Sequence, residues 1–249
     1  MSAKIIIFVV QNTKNNLIIM KRTVLVFSLL AIVSLHCTSL MGQINFGFKL
    51  GPNLGWAGSA TTAGSGDGAR MGLTTGIFVD KYFTDNLALS VGLNYNLVRM
   101  SYRFTDHRLP ELALVESNIE VARKFKGSYL ELPVKLKARF EVIESLSVYG
   151  EAGAGVGVNL SAKGKDTYDF YGSHYSDTDY KDYSYEYRLL QASLHFGLGA
   201  AYEISSRLAV FAQISYRHAL SNMFTQTLYK ETNSNLKYNF IGLEVGILL

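Results

Sequence analysis

The sequence predicts an all-β fold, an eight-stranded antiparallel up-and-down transmembrane β-barrel with long extracellular loops and short periplasmic turns. Three observations lead there. Apolar and polar side chains alternate over eight long segments, the connections between them alternate long and short, and the apolar face is almost free of charge. Composition agrees: of 249 residues 48% are hydrophobic and only 18% charged. Soluble domains carry roughly a quarter charged residues, and disordered chains are far less apolar.

Residues 1–42 read as a leader, with the signal segment at about 20–42 and the mature domain at 43–249. Met20-Lys21-Arg22 is a positive start, with Met20 the expected first residue. Val24 to Leu35 is an apolar run too short to span a bilayer. Cys37 to Gly42 is small and polar, and cleavage is expected after Gly42. Lipid attachment at Cys37 is the alternative, but His36 stands where a small residue is needed. Cys37 is the only cysteine, so no disulfide is expected in the mature chain. The leader also holds Lys4, Lys14, Lys21 and Arg22 and no acidic residue. Of 24 basic residues, 20 therefore remain against 20 acidic ones. The mature chain is neutral, which removes any electrostatic case for nucleic-acid binding.

The strands follow in order. Ile44–Trp56 sets Ile44, Phe46, Phe48, Leu50, Leu54 and Trp56 against Asn45, Gly47, Lys49, Gly51, Asn53 and Gly55. Met71–Tyr82 sets Leu73, Ile77 and Val79 against Gly72, Gly76 and Asp80. Leu87–Leu97 has Leu or Val at alternate positions, with Tyr95 among them. Tyr129–Phe140 opposes Leu130, Leu132, Val134 and Leu136 to Glu131, Pro133, Lys135, Lys137 and Arg139. Leu146–Leu160, Leu190–Tyr202, Leu208–His218 and Tyr238–Leu249 repeat the pattern. Each segment is long enough to cross a bilayer when tilted, and an even count lets the sheet close without an edge. The connections are Ala57–Arg70, Thr84–Asn86, Thr105–Arg123, Glu141–Ser145, Ser161–Tyr187, Ile204–Arg207 and Ser221–Leu236, long and short by turns. Short turns and both mature termini then face the periplasm.

The apolar face is assigned to lipid because the opposite face is rich in glycine, including Gly47, Gly51, Gly153, Gly155, Gly197 and Gly246. A narrow lumen needs small residues, whereas a water-exposed exterior favours Thr, Lys and Glu. A soluble lipid-binding barrel, with its apolar face inside, is the competing fold. Trp56, Tyr95 and Tyr216 at one end, with Phe46, Phe140 and Tyr202 at the other, match interfacial girdles.

Tyr129-Leu130-Glu131-Leu132-Pro133-Val134-Lys135-Leu136-Lys137 is similar to the Tyr-Leu-Glu-Ile-Pro-x-x-x-Lys stretch of the PorT-like outer-membrane β-barrel family. Phe48–Leu54, Tyr149–Gly153 and Ser215–Asn222 resemble its first, middle and late strands. The resemblance implies an exported eight-stranded barrel without a catalytic set. It also implies an accessory part in secretion or maturation of cell-surface proteins, which need not hold for every member.

The inward face carries Lys49, Lys135, Lys137, Arg139 and Arg217 against Asp80, Glu131, Glu151, Glu203 and Glu244. Five against five in a narrow lumen is expected to form a plugging network of ion pairs. No catalytic residue is expected. His218 on the apolar face, near Ser215 and Ser221, is the candidate to test for a lipid-modifying enzyme, but no carboxylate follows on its face of the strand. His195, with Ser193 and Glu151, points inward with the charge network. Between Ser161 and Tyr187 lie Tyr168, Tyr171, Tyr175, Tyr180, Tyr183 and Tyr185, a candidate partner-binding loop. Its Asp177, Asp179 and Asp182 match no calcium-loop spacing. The expected protein is a non-enzymatic component of the outer membrane without cofactor or metal. Its expected partners are membrane lipid and a protein met through the extracellular loops.

Overall fold

The computed structural model describes residues 43–59, 64–106, 119–170, 173–225 and 235–249. The expected leader, residues 1–42, lies outside them, as does Tyr171. Eight long strands build the wall: β1 (Ile44–Ser59), β2 (Gly64–Thr84), β3 (Leu87–Asp106), β4 (Ile119–Ile143), β5 (Leu146–Phe170), β8 (Leu190–Ser205), β9 (Leu208–Ala219) and β10 (Leu236–Leu248). Two short strands, β6 (Ser173–Ser176) and β7 (Lys181–Asp182), belong to the segment between β5 and β8.

Each wall strand pairs antiparallel with the next, and β10 returns to β1, so the sheet closes on itself. Phe46 and Leu249 tie the seam by exchanging backbone hydrogen bonds of 2.9 and 2.7 Å. Closure matters because an open edge would leave backbone N–H and C=O groups facing hydrocarbon. Three two-residue turns, Asp85-Asn86, Glu144-Ser145 and Ser206-Arg207, join the strands at one end.

The outer face in the central band is apolar and accessible. Phe46, Ile77, Leu136, Leu198 and Leu243 all expose more than half their surface. Bare apolar surface on this scale belongs in lipid. The aromatic girdles fall as expected, with Trp56 stacked on Tyr216 at 6.2 Å on the outer wall.

Strands β2, β3, β4 and β5 run well past the bounds expected from alternation, into segments read as loops. The polarity of the faces inverts there. On β3 the inward residues change from Ser90, Asn94 and Asn96 to Val98, Met100, Tyr102 and Phe104, all buried. The outward residues change from Leu93, Tyr95 and Leu97 to Arg99 and Arg103. Strand β4 does the same, with Val121 and Phe125 inside and Lys124 and Lys126 outside. Below the boundary the wall faces lipid; above it the wall faces water. The same alternating strand therefore turns its apolar side inward once it leaves the membrane.

Pro133 corrects one expectation. A proline within a closed barrel has no N–H for the ladder, so Pro133 is expected to face the lumen close to Glu131 and Lys135, to break pairing with one neighbouring strand and to sit in a β-bulge; only the bulge is corrected. Its ring is buried on the lumen side, between Glu131 and Lys135 on the same face, and it pairs with Gly155 on β5. On the β3 side pairing lapses between Val91↔Val134 and Asn94↔Glu131, yet the register on either side of the gap is the same. No bulge forms. Pro52 on β1 repeats the solution, with a gap toward β10 and an unshifted register. A strand with two neighbours can lose one ladder bond to proline without sliding. The irregularities of β4 lie instead at Ser128/Tyr129 and Glu141/Ile143, both against β5.

Small inward residues are required where neighbouring backbones approach. A Cβ on Gly153 would collide with the Val134 carbonyl oxygen, and one on Gly51 with that of Leu243.

Candidate functional site

All ten inward charges named above meet a partner of opposite sign. Lys49 Nζ lies 2.9 Å from Glu244, Lys135 Nζ 2.5 Å from Glu151, Lys137 Nζ 2.6 Å from Asp80 and Arg217 Nε 2.7 Å from Glu131. Arg139 pairs with Glu203 at the periplasmic mouth. Neutral donors add to the shells of two of the carboxylates. Glu244 accepts from Gln213 at 2.6 Å and Ser215 at 2.8 Å, and Glu131 accepts from Ser193 at 2.6 Å and Asn96 at 3.0 Å. The Arg217 guanidinium lies over the Tyr238 ring at 4.3 Å. Charges this deeply desolvated persist only when paired and hydrogen-bonded, and these are both.

The pairs also fill the bore. At their level a void of about 10 Å³ remains among Lys49, Lys135, Glu151 and His195. That is at the limit of a single water molecule. A shallow cavity of about 120 Å³ opens below, between Tyr82, Arg139, Tyr149 and Glu203.

Among the described residues, Ser193, His195 and Glu131 form a grouping that resembles a nucleophile–base set. Ser193 Oγ is 3.1 Å from His195 Nε2, but the Ser193 hydroxyl and His195 Nε2 both converge on the same oxygen of Glu131, at 2.6 and 3.3 Å. A catalytic histidine takes the serine proton on one ring nitrogen and is oriented through the other. Here the serine donates to the carboxylate, and both side chains are buried in the plugged lumen. His218 faces outward on β9, in register with Leu194 and Asn239 and with no acidic residue at either position.

A second constellation sits above the membrane band. Arg123 on β4 is buried and bound in a fork to Asp166 on β5, Nε to Oδ1 at 2.6 Å and Nη2 to Oδ2 at 2.7 Å. Its Nη1 donates to Glu186 at 2.5 Å. The guanidinium lies 3.8 Å from the centre of the Tyr183 ring, and Tyr183 donates to Asp166 at 3.1 Å. Tyr102 and Tyr187 join hydroxyl to hydroxyl beside it, within a core of Met100, Phe104, Phe125, Met223 and Phe224. Backbone bonds from Arg188 to Met223 and from Thr225 to Glu186 tie the β7–β8 segment to the one before β10. The result is a cap over the extracellular mouth. Sequence reading missed Arg123, Asp166 and Glu186 because they lay in presumed loops. The signal was the continued alternation Val121-x-Arg123-x-Phe125 in inverted phase.

The cap divides the tyrosines of the candidate loop. Tyr168, on β5, stacks on Tyr175 at 5.5 Å and packs with Tyr183 against the cap core. Tyr175, Tyr180 and Tyr185 stay exposed, at 42, 40 and 62%.

Burial pushes the Tyr187 phenol up to about 12, with Arg123 opposing the rise. A raised folded value means the neutral phenol stabilises the cap fully below the ordinary tyrosine value of about 10, and that this is lost as pH climbs through about 12. Near-ultraviolet circular dichroism of the folded protein should hold to pH 10 and decline above it, with a smaller decline in Tyr187→Phe. A collapse of that signal between pH 8 and 9 would contradict this origin.

Comparison with known proteins places the architecture. The family described as "Outer membrane protein beta-barrel domain" matches residues 35–225. No curated protein matches the chain. Among solved structures, Neisserial surface protein A is similar at 13% identity and TM-score 0.41, covering 82% of this chain and 96% of its own. Ail, the attachment invasion locus protein of Yersinia pestis, is similar at 14% identity and TM-score 0.37, covering 84% and 100%. The outer membrane protease OmpT from Escherichia coli is similar at 11% identity and TM-score 0.39, covering 85% and 98%. Likenesses this distant carry nothing about activity. The match across most of the chain, with the closed apolar-faced barrel, shows that it belongs to the outer membrane protein β-barrel domain family.

Proposed function

We propose that this outer-membrane barrel is not an enzyme and serves as a rigid mount for a protein partner at the cell surface. The observation that carries the reading is the cap: four strands rise beyond the membrane band and are locked by Arg123, Asp166 and Glu186, with Tyr175, Tyr180 and Tyr185 left open to solvent. Tyrosine offers a large amphipathic contact area with few rotors to freeze. The groups that resemble catalytic ones are engaged in the plugged lumen. The resemblance to the PorT-like family supports a narrower version, in which the partner belongs to a secretion or maturation apparatus. On this reading export uses the leader, cleaved after Gly42.

A photo-crosslinking residue placed at Tyr185 in intact cells tests the proposal. Discrete protein adducts, lost when Tyr175 and Tyr180 are changed to serine, are the expected result. Absence of adducts together with turnover of a lipid or peptide by the purified barrel would overturn it.

A further inference from the structure

We propose that the outer wall above the lipid band carries a binding site for the phosphorylated headgroup of an outer-leaflet glycolipid, formed by Arg99, Lys124, Lys126, Lys163 and Lys165. The inference stands apart from the partner-binding reading, since it concerns the wall beneath the cap.

The site follows from register. Arg99 on β3 is directly opposite Lys126 on β4, which is directly opposite Lys163 on β5. One row further out, Lys124 is opposite Lys165. All five point outward: Arg99, Lys124, Lys126 and Lys163 are exposed and Lys165 is half-buried. Neighbouring strands lie about 4.8 Å apart, so three cations occupy a row about 10 Å wide. The Debye length is about 8 Å at physiological salt, and like charges directly opposite one another destabilise a sheet.

Local carboxylates relieve only part of the repulsion. Among the described residues none forms an ion pair with these five. Asp67 and Glu120 are held by Arg103, and Asp177 by Lys181. Asp182 on β7 stands opposite Lys163 and keeps its charge while accepting the Ser184 backbone N–H at 2.8 Å, so it offsets one cation at the end of the row and leaves Arg99, Lys124, Lys126 and Lys165 uncompensated. Lys165 donates to the Thr178 carbonyl, which leaves its charge uncompensated.

Height selects the occupant. Descending the wall, the row Arg99–Lys126–Lys163 gives way to Leu97–Ser128–Ser161 and then to Tyr95–Leu130–Val158. Arg99 is four residues, about 13 Å along the strand, beyond the girdle residue Tyr95. A row of cations thus gives way, through a mixed row, to one of apolar and aromatic residues in which Tyr95 is exposed and Val158 is buried, the order met in passing from the phosphates toward the acyl chains of a lipid. Anionic headgroups attract basic residues at this depth, and a phosphate bridging two strands would turn the cross-strand repulsion into binding.

The test folds the full mature chain into phosphatidylcholine vesicles containing a diphosphorylated glycolipid or its dephosphorylated counterpart. Lipid retained after detergent extraction is counted by mass spectrometry. Retention of the diphosphorylated form is expected to exceed the other by at least tenfold, and to fall to parity in the variant Arg99→Gln/Lys126→Gln/Lys163→Gln. Heat-modifiable gel mobility, expected to be unchanged, shows that the variant is folded. Free pyrophosphate at millimolar concentration should displace little lipid. Equal retention of both lipids, or unchanged retention in the folded variant, would overturn the proposal. So would tighter binding of a soluble polyanion than of the lipid.

Discussion

Replacing Glu131 with leucine is expected to cost about 3–5 kcal/mol of folding stability, the range for breaking a buried ion pair by removing one partner. Glu131 is completely buried and is the counter-ion of Arg217, itself 1% exposed. It also accepts from Ser193 and Asn96 and lies beside His195. Without it the guanidinium would keep its stacking on Tyr238 but no anion. The double variant Glu131→Leu/Arg217→Met removes both charges and should recover most of the loss, because apolar replacement of a buried pair is often close to neutral. Urea titration in lipid vesicles, followed by the fluorescence of the single tryptophan, Trp56, measures both. A single variant within about 1 kcal/mol of the parent would mean that this pair does not hold the lumen together.

The second large effect is expected in the cap. Arg123→Leu leaves Asp166 and Glu186 without the guanidinium that joins them. A loss of about 3–5 kcal/mol is expected, confined to the cap. Strands β1 and β8–β10 lack this residue's contacts, so heat-modifiable mobility should persist while protease gains access between Asp177 and Leu189. Arg123→Lys restores the charge but not the planar fork or the stacking on Tyr183, and should fall between the two. Resistance of Arg123→Leu to protease at the parent level would show that the cap is held by its aromatic core alone.

The membrane wall was legible because lipid outside and ion pairs inside impose one strict alternation. Leu130, Leu132 and Leu136 against Glu131, Lys135 and Lys137 leave no other reading of β4. Which charge meets which was not legible. Alternation assigns a face, whereas Lys49 finds Glu244, 195 residues away, only through the register of the β1–β10 seam. The cap was missed for a different reason. Arg99-Met100-Ser101-Tyr102-Arg103-Phe104 alternates as regularly as Leu93–Leu97, but its apolar side is the lumen side. A strand leaving lipid for water reverses which face must be apolar, and a reading that expects one apolar face throughout ends the strand at Leu97, where the reversal begins. At Pro133 the lumen side and the break in pairing were legible, and only the bulge was not. A gap toward one neighbour, without a register shift, was enough.

The barrel is closed in register and plugged by paired charges, and planar-bilayer recording of the purified mature chain tests this most directly. An eight-stranded barrel has a bore that side chains fill, and the void left among Lys49, Lys135, Glu151 and His195 is about 10 Å³. The predicted result is the absence of stable conductance steps in the parent, with rare leak events appearing in Glu131→Leu. Steady porin-like channels from the unmodified protein would contradict the account.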